Sequence, residues 1–96
     1  MFELEYSDEA NEQYFSLEDD PSKQNIFKQV KKALDYLAVN PRHKSLQTHK
    51  HYQKSFQYGF EVFEASAQND TPGAYRIFWS YHGKGKILIL TITPYP

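Results

Sequence analysis

Ala74-Tyr75-Arg76-Ile77-Phe78-Trp79-Ser80-Tyr81-His82-Gly83-Lys84-Gly85-Lys86-Ile87-Leu88-Ile89-Leu90-Thr91-Ile92-Thr93 is the stretch that decides the fold. Tyr75, Ile77, Trp79 and Tyr81 alternate with Arg76, Phe78 and Ser80, which is the period of two of a strand. His82-Gly83-Lys84-Gly85 supplies a tight turn, because glycine accepts the positive φ that hairpin turns need. Ile87 to Ile92 is almost wholly apolar, the pattern of a strand that is central or covered on both faces. Arg76 is the odd member. A fixed cation in an apolar hairpin is costly unless it is paired or lies at a wet edge.

Working upstream, Gln68-Asn69-Asp70-Thr71-Pro72-Gly73 reads as a reverse turn. Before it, Phe56 to Ser66 alternates Phe56, Tyr58, Phe60 and Val62 with Gln57, Gly59, Glu61 and Phe63, which predicts a third strand. On that reading Phe56, Tyr58 and Phe60 join Tyr75 and Trp79 in the core. Phe63 or Phe78, if exposed, would mark a groove for a partner. Arg42 to Ser55 lacks periodicity and is basic and histidine-rich, so it is expected to be an ordered loop anchored by Leu46.

The N-terminal part reads as one strand and two helices. Phe2, Leu4 and Tyr6 alternate with acids. Ser7 then precedes Asp8 and Glu9, an N-cap with acids in the first turn, where the helix dipole favours them. Ala10, Tyr14 and Leu17 share one face of a helix from Asp8 to about Glu18. Asp20-Pro21 caps and restarts the chain. Ile26, Phe27, Val30, Ala33, Leu34 and Leu37 form the apolar stripe of a second helix, which Asn40-Pro41 ends. The expected fold class is therefore α+β with the order β-α-α-β-β-β. A helical hairpin should pack on one face of an antiparallel sheet.

The 96 residues are expected to make one domain, residues 1–96. There is no cysteine, which excludes disulfides and thiolate metal sites and suits the cytoplasm. No segment suits a bilayer, and the acidic N-terminus does not suit a signal peptide. The net charge is −1 but is unevenly spread. Residues 1–35 carry nine acids against four lysines, whereas residues 36–60 carry Arg42, Lys44, Lys50 and Lys54 and no acid. That block leaves room for a focused polyanion site. His49-x-His51 would place two imidazoles on one face of an extended segment. No third ligand has convincing spacing, so neither a metal nor a cofactor is expected.

The chain resembles the RelE/ParE superfamily of bacterial type II toxins. The resemblance rests on the element order, on Asn40-Pro41-Arg42-His43-Lys44-Ser45-Leu46-Gln47-Thr48-His49-Lys50 after the second helix, and on Ala74-Tyr75-Arg76-Ile77-Phe78-Trp79. It implies a toxin held by a cognate antitoxin. RelE-like members cut mRNA on the ribosome without a metal, and ParE-like members inhibit DNA gyrase. A free toxin with an uncovered groove can also be expected to pair as a homodimer. Arg76 matches the family's phosphate-binding arginine, and guanidinium geometry suits phosphate. Metal-free RNA cleavage also needs a base, an acid and a stacking surface. His49, Lys50 and Tyr95 join Arg76 as catalytic candidates, with Arg42, Lys44, His51 and Lys54 as RNA-binding candidates. The end of the chain departs from the family. Thr93 and Pro94 replace its usual polar residues, so the catalytic roles are expected to move to His49, His51 or Tyr95. Weakened catalysis, a gyrase target or a binding-only member are the alternatives.

Overall fold

The structure, a computed structural model, describes residues 1–69 and 71–95. Strand β1 (Glu3–Tyr6) leads into helix α1 (Asp8–Asp19). Ser7 is the N-cap: its Oγ accepts from the Ala10 N–H at 3.0 Å and donates to the Leu90 carbonyl at 2.7 Å. One hydroxyl thus starts the helix and fastens it to the last strand. Asp20 caps a 3-10 turn at Pro21–Lys23, accepting from the Ser22 N–H at 2.9 Å. The hydrogen bonds from Ser22 hold the Asp20 carboxyl below its ordinary pKa. Helix α2 (Gln24–Val39) then buries Phe27, Val30, Ala33, Leu34 and Leu37, the stripe read from the sequence.

Between α2 and the final strands, the structure differs from the sequence reading. A 3-10 turn at Lys44–Leu46 buries Leu46 completely, as expected of the loop's anchor. A two-residue strand β2 (His49–Lys50) and a short helix α3 (Tyr52–Tyr58) follow. The third strand expected over Phe56–Ser66 is shortened to β3 (Phe63–Ser66). Local capping outweighs the aromatic alternation here. His51 Nδ1 accepts from the Lys54 N–H at 3.1 Å at the helix start. Gly59, at φ 79°, ends the helix in the left-handed region that glycine tolerates. Phe56, Tyr58 and Phe60, expected in the core, are instead 90%, 41% and 44% exposed. Phe63 and Phe78 are buried, so neither marks an open groove.

β4 (Tyr75–Tyr81) and β5 (Lys86–Pro94) form the expected hairpin. The five-stranded sheet has the order β1-β5-β4-β3-β2. It is antiparallel except that β1 pairs with β5 in parallel, Leu4 opposite Ile87. β5 is therefore central over its first half, which accounts for its apolar run. Beyond β1's reach its edge is served by α1: Gln13 Oε1 accepts from the Ile92 N–H. One face of the sheet, carrying Tyr75, Ile77, Trp79, Ile87, Ile89 and Ile92, packs against α1 and α2. The Trp79 indole N–H is buried there without a partner among the described residues, its ring stacked on Phe63 at 4.9 Å. Phe78 pairs with Thr91 and Trp79 with Ile89, so Leu90 is the extra residue of a β-bulge. Leu90 packs with Val62 and Phe78 in a small second core away from the helical pair.

Candidate active site on the helix-free face

Register brings the charges on the second face together. His49 pairs directly with Glu64 across β2 and β3, and Glu64 pairs with Phe78 on β4. Arg76 stands two residues before Phe78, on the same face and diagonal to Glu64. Glu64 becomes the hub. Its Oε2 accepts from Arg76 Nε at 3.1 Å, and its Oε1 lies 3.5 Å from His49 Nε2 and 4.0 Å from His51 Nε2. The Glu64 side chain is 9% exposed and that of Arg76 19%. A carboxylate so placed is tolerable because the Arg76 guanidinium pairs with it.

Arg76 is held from three sides. Besides Glu64, its Nη1 donates to the Gln68 carbonyl at 2.7 Å, and the guanidinium lies 5.2 Å from the centre of the Tyr95 ring. A guanidinium has five N–H donors. Among the described residues no other group is bonded to the remaining ones, which are oriented to meet a phosphate.

The two histidines are set differently. His51 Nδ1 is an acceptor for the α3 N-terminus, so in the neutral ring the proton sits on Nε2, toward Glu64. Its ring meets Phe78 edge-on at 5.3 Å, and Lys54 Nζ lies 4.8 Å over the same ring. His49 lies between two acceptors, the Gln47 carbonyl at 3.0 Å from Nδ1 and Glu64 at Nε2. Both acceptors are served only when both ring nitrogens carry a proton. Gln47 has φ 50°, the one non-glycine residue in the left-handed region among the described residues. Such backbone strain tends to gather at functional positions, and here it borders a candidate proton donor.

His49, His51, Lys54, Arg76 and Tyr95 are thus gathered on one face. Lys50 is not. By register it lies opposite Phe63, and its Nζ pairs with Glu61 at 3.5 Å and sits 5.1 Å over the Tyr52 ring. Arg42 lies 5.4 Å over Phe63, a residue of the helix-side core, and Lys44 is exposed in its 3-10 turn. Glu64 is the site residue that the sequence pattern does not single out. The available signal was an acid flanked by Phe63 and Ala65 in a strand ending at a turn.

Among the described residues, no group of three or more His, Cys, Asp or Glu side chains could hold a metal ion. Among the same residues no helix is long and apolar enough to cross a membrane.

Neither a family model nor a curated protein matches the chain. Among solved structures, the YoeB dimer from Staphylococcus aureus aligns with a TM-score of 0.69, covering 99% of this chain and 97% of that one. The fold is YoeB-like. At 12% identity the likeness concerns the path of the chain and not its side chains. The α+β class with a helical pair on one face of the sheet is as expected from the sequence, but the mostly antiparallel sheet has five strands, β2 being added to the four expected. The Glu64–Arg76 cluster lies on the other face.

Proposed function

We propose that the chain is a member of the RelE/ParE superfamily and the toxin of a bacterial type II toxin–antitoxin pair. In this reading it acts in the cytoplasm as a ribosome-dependent, metal-free mRNA endonuclease and is held inactive by a cognate antitoxin. The observation that carries the reading is the convergence of a buried carboxylate, a guanidinium, an imidazole and a terminal ring on the helix-free face of a YoeB-like fold.

The chemistry follows from which proton each group can hold. Glu64 is the cluster's acceptor and takes the proton of a ribose 2′-hydroxyl. The 2′-oxygen forms a bond to the adjacent phosphorus, and the bond from phosphorus to the 5′-oxygen breaks. The products are a 2′,3′-cyclic phosphate and a 5′-hydroxyl. Arg76 and Lys54 offset the charge that develops on the phosphorane. His49, whose Nε2 faces Glu64, is the proton donor to the departing 5′-oxygen. Thr93 and Pro94 offer no titratable side chain at the end of β5, so the acid comes from the β2 side. Tyr95, beside Arg76, stacks on a base. With Thr93 and Pro94 where no side chain can titrate, turnover is expected to be slow.

Tightly controlled expression tests this reading. Growth arrest by the intact chain, relieved by Arg76→Ala, with cleaved messages ending in cyclic phosphate, is the expected result. Robust growth with folded intact protein present would count against it. The titratable-poor chain end favours one second reading, gyrase inhibition without nuclease chemistry. Arrest with intact messages and blocked supercoiling would select it. No arrest at all would leave a binding-only relative.

A further inference from the structure

Helix α3 puts rings in solvent that a strand would have hidden. Tyr52 and Phe56 stand four residues apart on one helical stripe, 76% and 90% exposed. After Gly59 the chain turns back, and Phe60 lies 5.6 Å from Tyr58. Water contact on so much apolar area is unfavourable, and exposed rings gathered on one short helix mark an interaction surface.

The chemistry around the rings points to the occupant. Lys50 Nζ lies 5.1 Å over Tyr52, Lys54 Nζ lies 4.8 Å over Phe78, and Arg76 lies 5.2 Å from Tyr95. Ring–cation pairs therefore stand on both sides of α3, Lys50–Tyr52 outside the cluster and Lys54–Phe78 and Arg76–Tyr95 within it. α3 carries no acid, and residues 36–60 carry none. Glu61 at the rim is met by Lys50, and buried Glu64 by Arg76. Aromatic faces set among cations suit splayed bases on a phosphate backbone. An aliphatic protein surface would gain nothing from the lysines.

We propose that Tyr52 and Phe56 form a base-stacking surface for single-stranded RNA on the outer side of α3, from which the strand passes Lys54, on the inner side of the same helix, to reach the Glu64–Arg76 cluster. This rests on the reading of that cluster as an RNA site, and the test separates the two. The probe is a short fluorescent RNA with 2′-O-methyl riboses, which binds but cannot be cut, followed by anisotropy at several salt concentrations. Phe56→Ala and Tyr52→Ala should each weaken binding on the order of ten-fold, and Phe56→Trp should restore it. Lys54→Gln should reduce the slope of log affinity against log salt by about 0.7. Both alanine variants remove exposed rings, so circular dichroism should be unchanged.

Binding equal to that of the intact chain in both variants overturns the proposal. So does a loss confined to self-association in sedimentation, which would assign the patch to a second copy. Absence of any RNA binding by the intact chain overturns it as well. Growth arrest that persists alongside unaltered Phe56→Ala binding would sink the surface and spare the nuclease reading. Ring-dependent binding without arrest would do the reverse.

Discussion

The Glu64–Arg76 pair can be weighed by a double-mutant cycle. Two unit charges 3.1 Å apart attract by about 5 kcal/mol at an effective dielectric of 20. Desolvation of both groups removes much of this, so the net value should approach that of a charge-assisted hydrogen bond, about 1.5–3 kcal/mol. Both side chains are more than four-fifths buried, so solvent screening removes little of it. Glu64→Gln keeps the shape and removes the charge. Arg76→Met keeps much of the stem and leaves Glu64 facing only the histidines. Arg76→Met should be the costlier single change, because it leaves a buried carboxylate without its closest cation. Urea unfolding at neutral pH of the intact chain, both single variants and the double variant should give a coupling energy of about 1.5–3 kcal/mol. That is a large fraction of a domain stability on the order of 5–15 kcal/mol. A coupling below about 0.5 kcal/mol, the noise of independent sites, would refute the claim that Glu64 is the hub. The same Glu64→Gln variant should lose on the order of 100- to 10,000-fold in message cleavage if Glu64 is the base.

Three further outcomes follow from the geometry. Leu46→Ala should lower unfolding free energy by about 2–5 kcal/mol, since the side chain is fully buried, and a denaturant midpoint equal to that of the intact chain would contradict its anchoring role. Gly59→Ala should cost about 1–2 kcal/mol from its φ of 79° alone, because a Cβ there meets no atom within 4 Å; thermal unfolding should show Gly59→Asn recovering part of the loss. Asp20 has a lowered folded-state pKa, so its contribution is present above the ordinary value of 3.8 and is lost as pH falls through the lower folded value. The gap in melting temperature between the intact chain and Asp20→Ala should accordingly be full near neutrality and narrow below about pH 3.8, and a gap independent of pH would remove the charge from the explanation.

The parts of the fold that were legible in the sequence are those where one period dominates and caps agree with it. Ser7, Asp20 and Asn40-Pro41 bracket helices whose apolar stripes repeat at 3–4, and Gly83 and Gly85 break two strands of different burial. The stretch around Phe56 misled because aromatic alternation is a strand signal only when one face is buried. Tyr52 and Phe56 satisfy the helical spacing of four equally well, and their stripe faces water. Gly59 was the deciding residue, a helix end rather than a strand interior. Parallel pairing of β1 with β5 was not readable, since it depends on where two helices return the chain. The candidate site was half legible. Arg76 stood out as a cation in an apolar strand, but its meeting with Glu64, His49 and Tyr95 needs the register of β2, β3 and β4.

The register also gives the charge pattern a direction. Residues 1–20 hold Glu3, Glu5, Asp8, Glu9, Glu12, Glu18, Asp19 and Asp20 and no lysine or arginine. These residues form β1, α1 and the cap that follows, at the β1 edge of the sheet. Arg42, Lys44, Lys50 and Lys54 flank β2, the opposite edge. A net charge of −1 therefore describes a molecule with an acidic edge and a basic edge, not a neutral surface. A polyanion is repelled from β1 and drawn toward β2, where α3 and its rings stand beside the Glu64–Arg76 cluster. The attraction is local, so weak binding of duplex nucleic acid and salt-sensitive binding at the β2 edge are compatible in one small protein. Segregating charge across the sheet also separates two demands. Acids on β1 keep an edge strand from pairing with other chains, while at the opposite edge the carboxylates of Glu61 and Glu64 are met by Lys50 and Arg76.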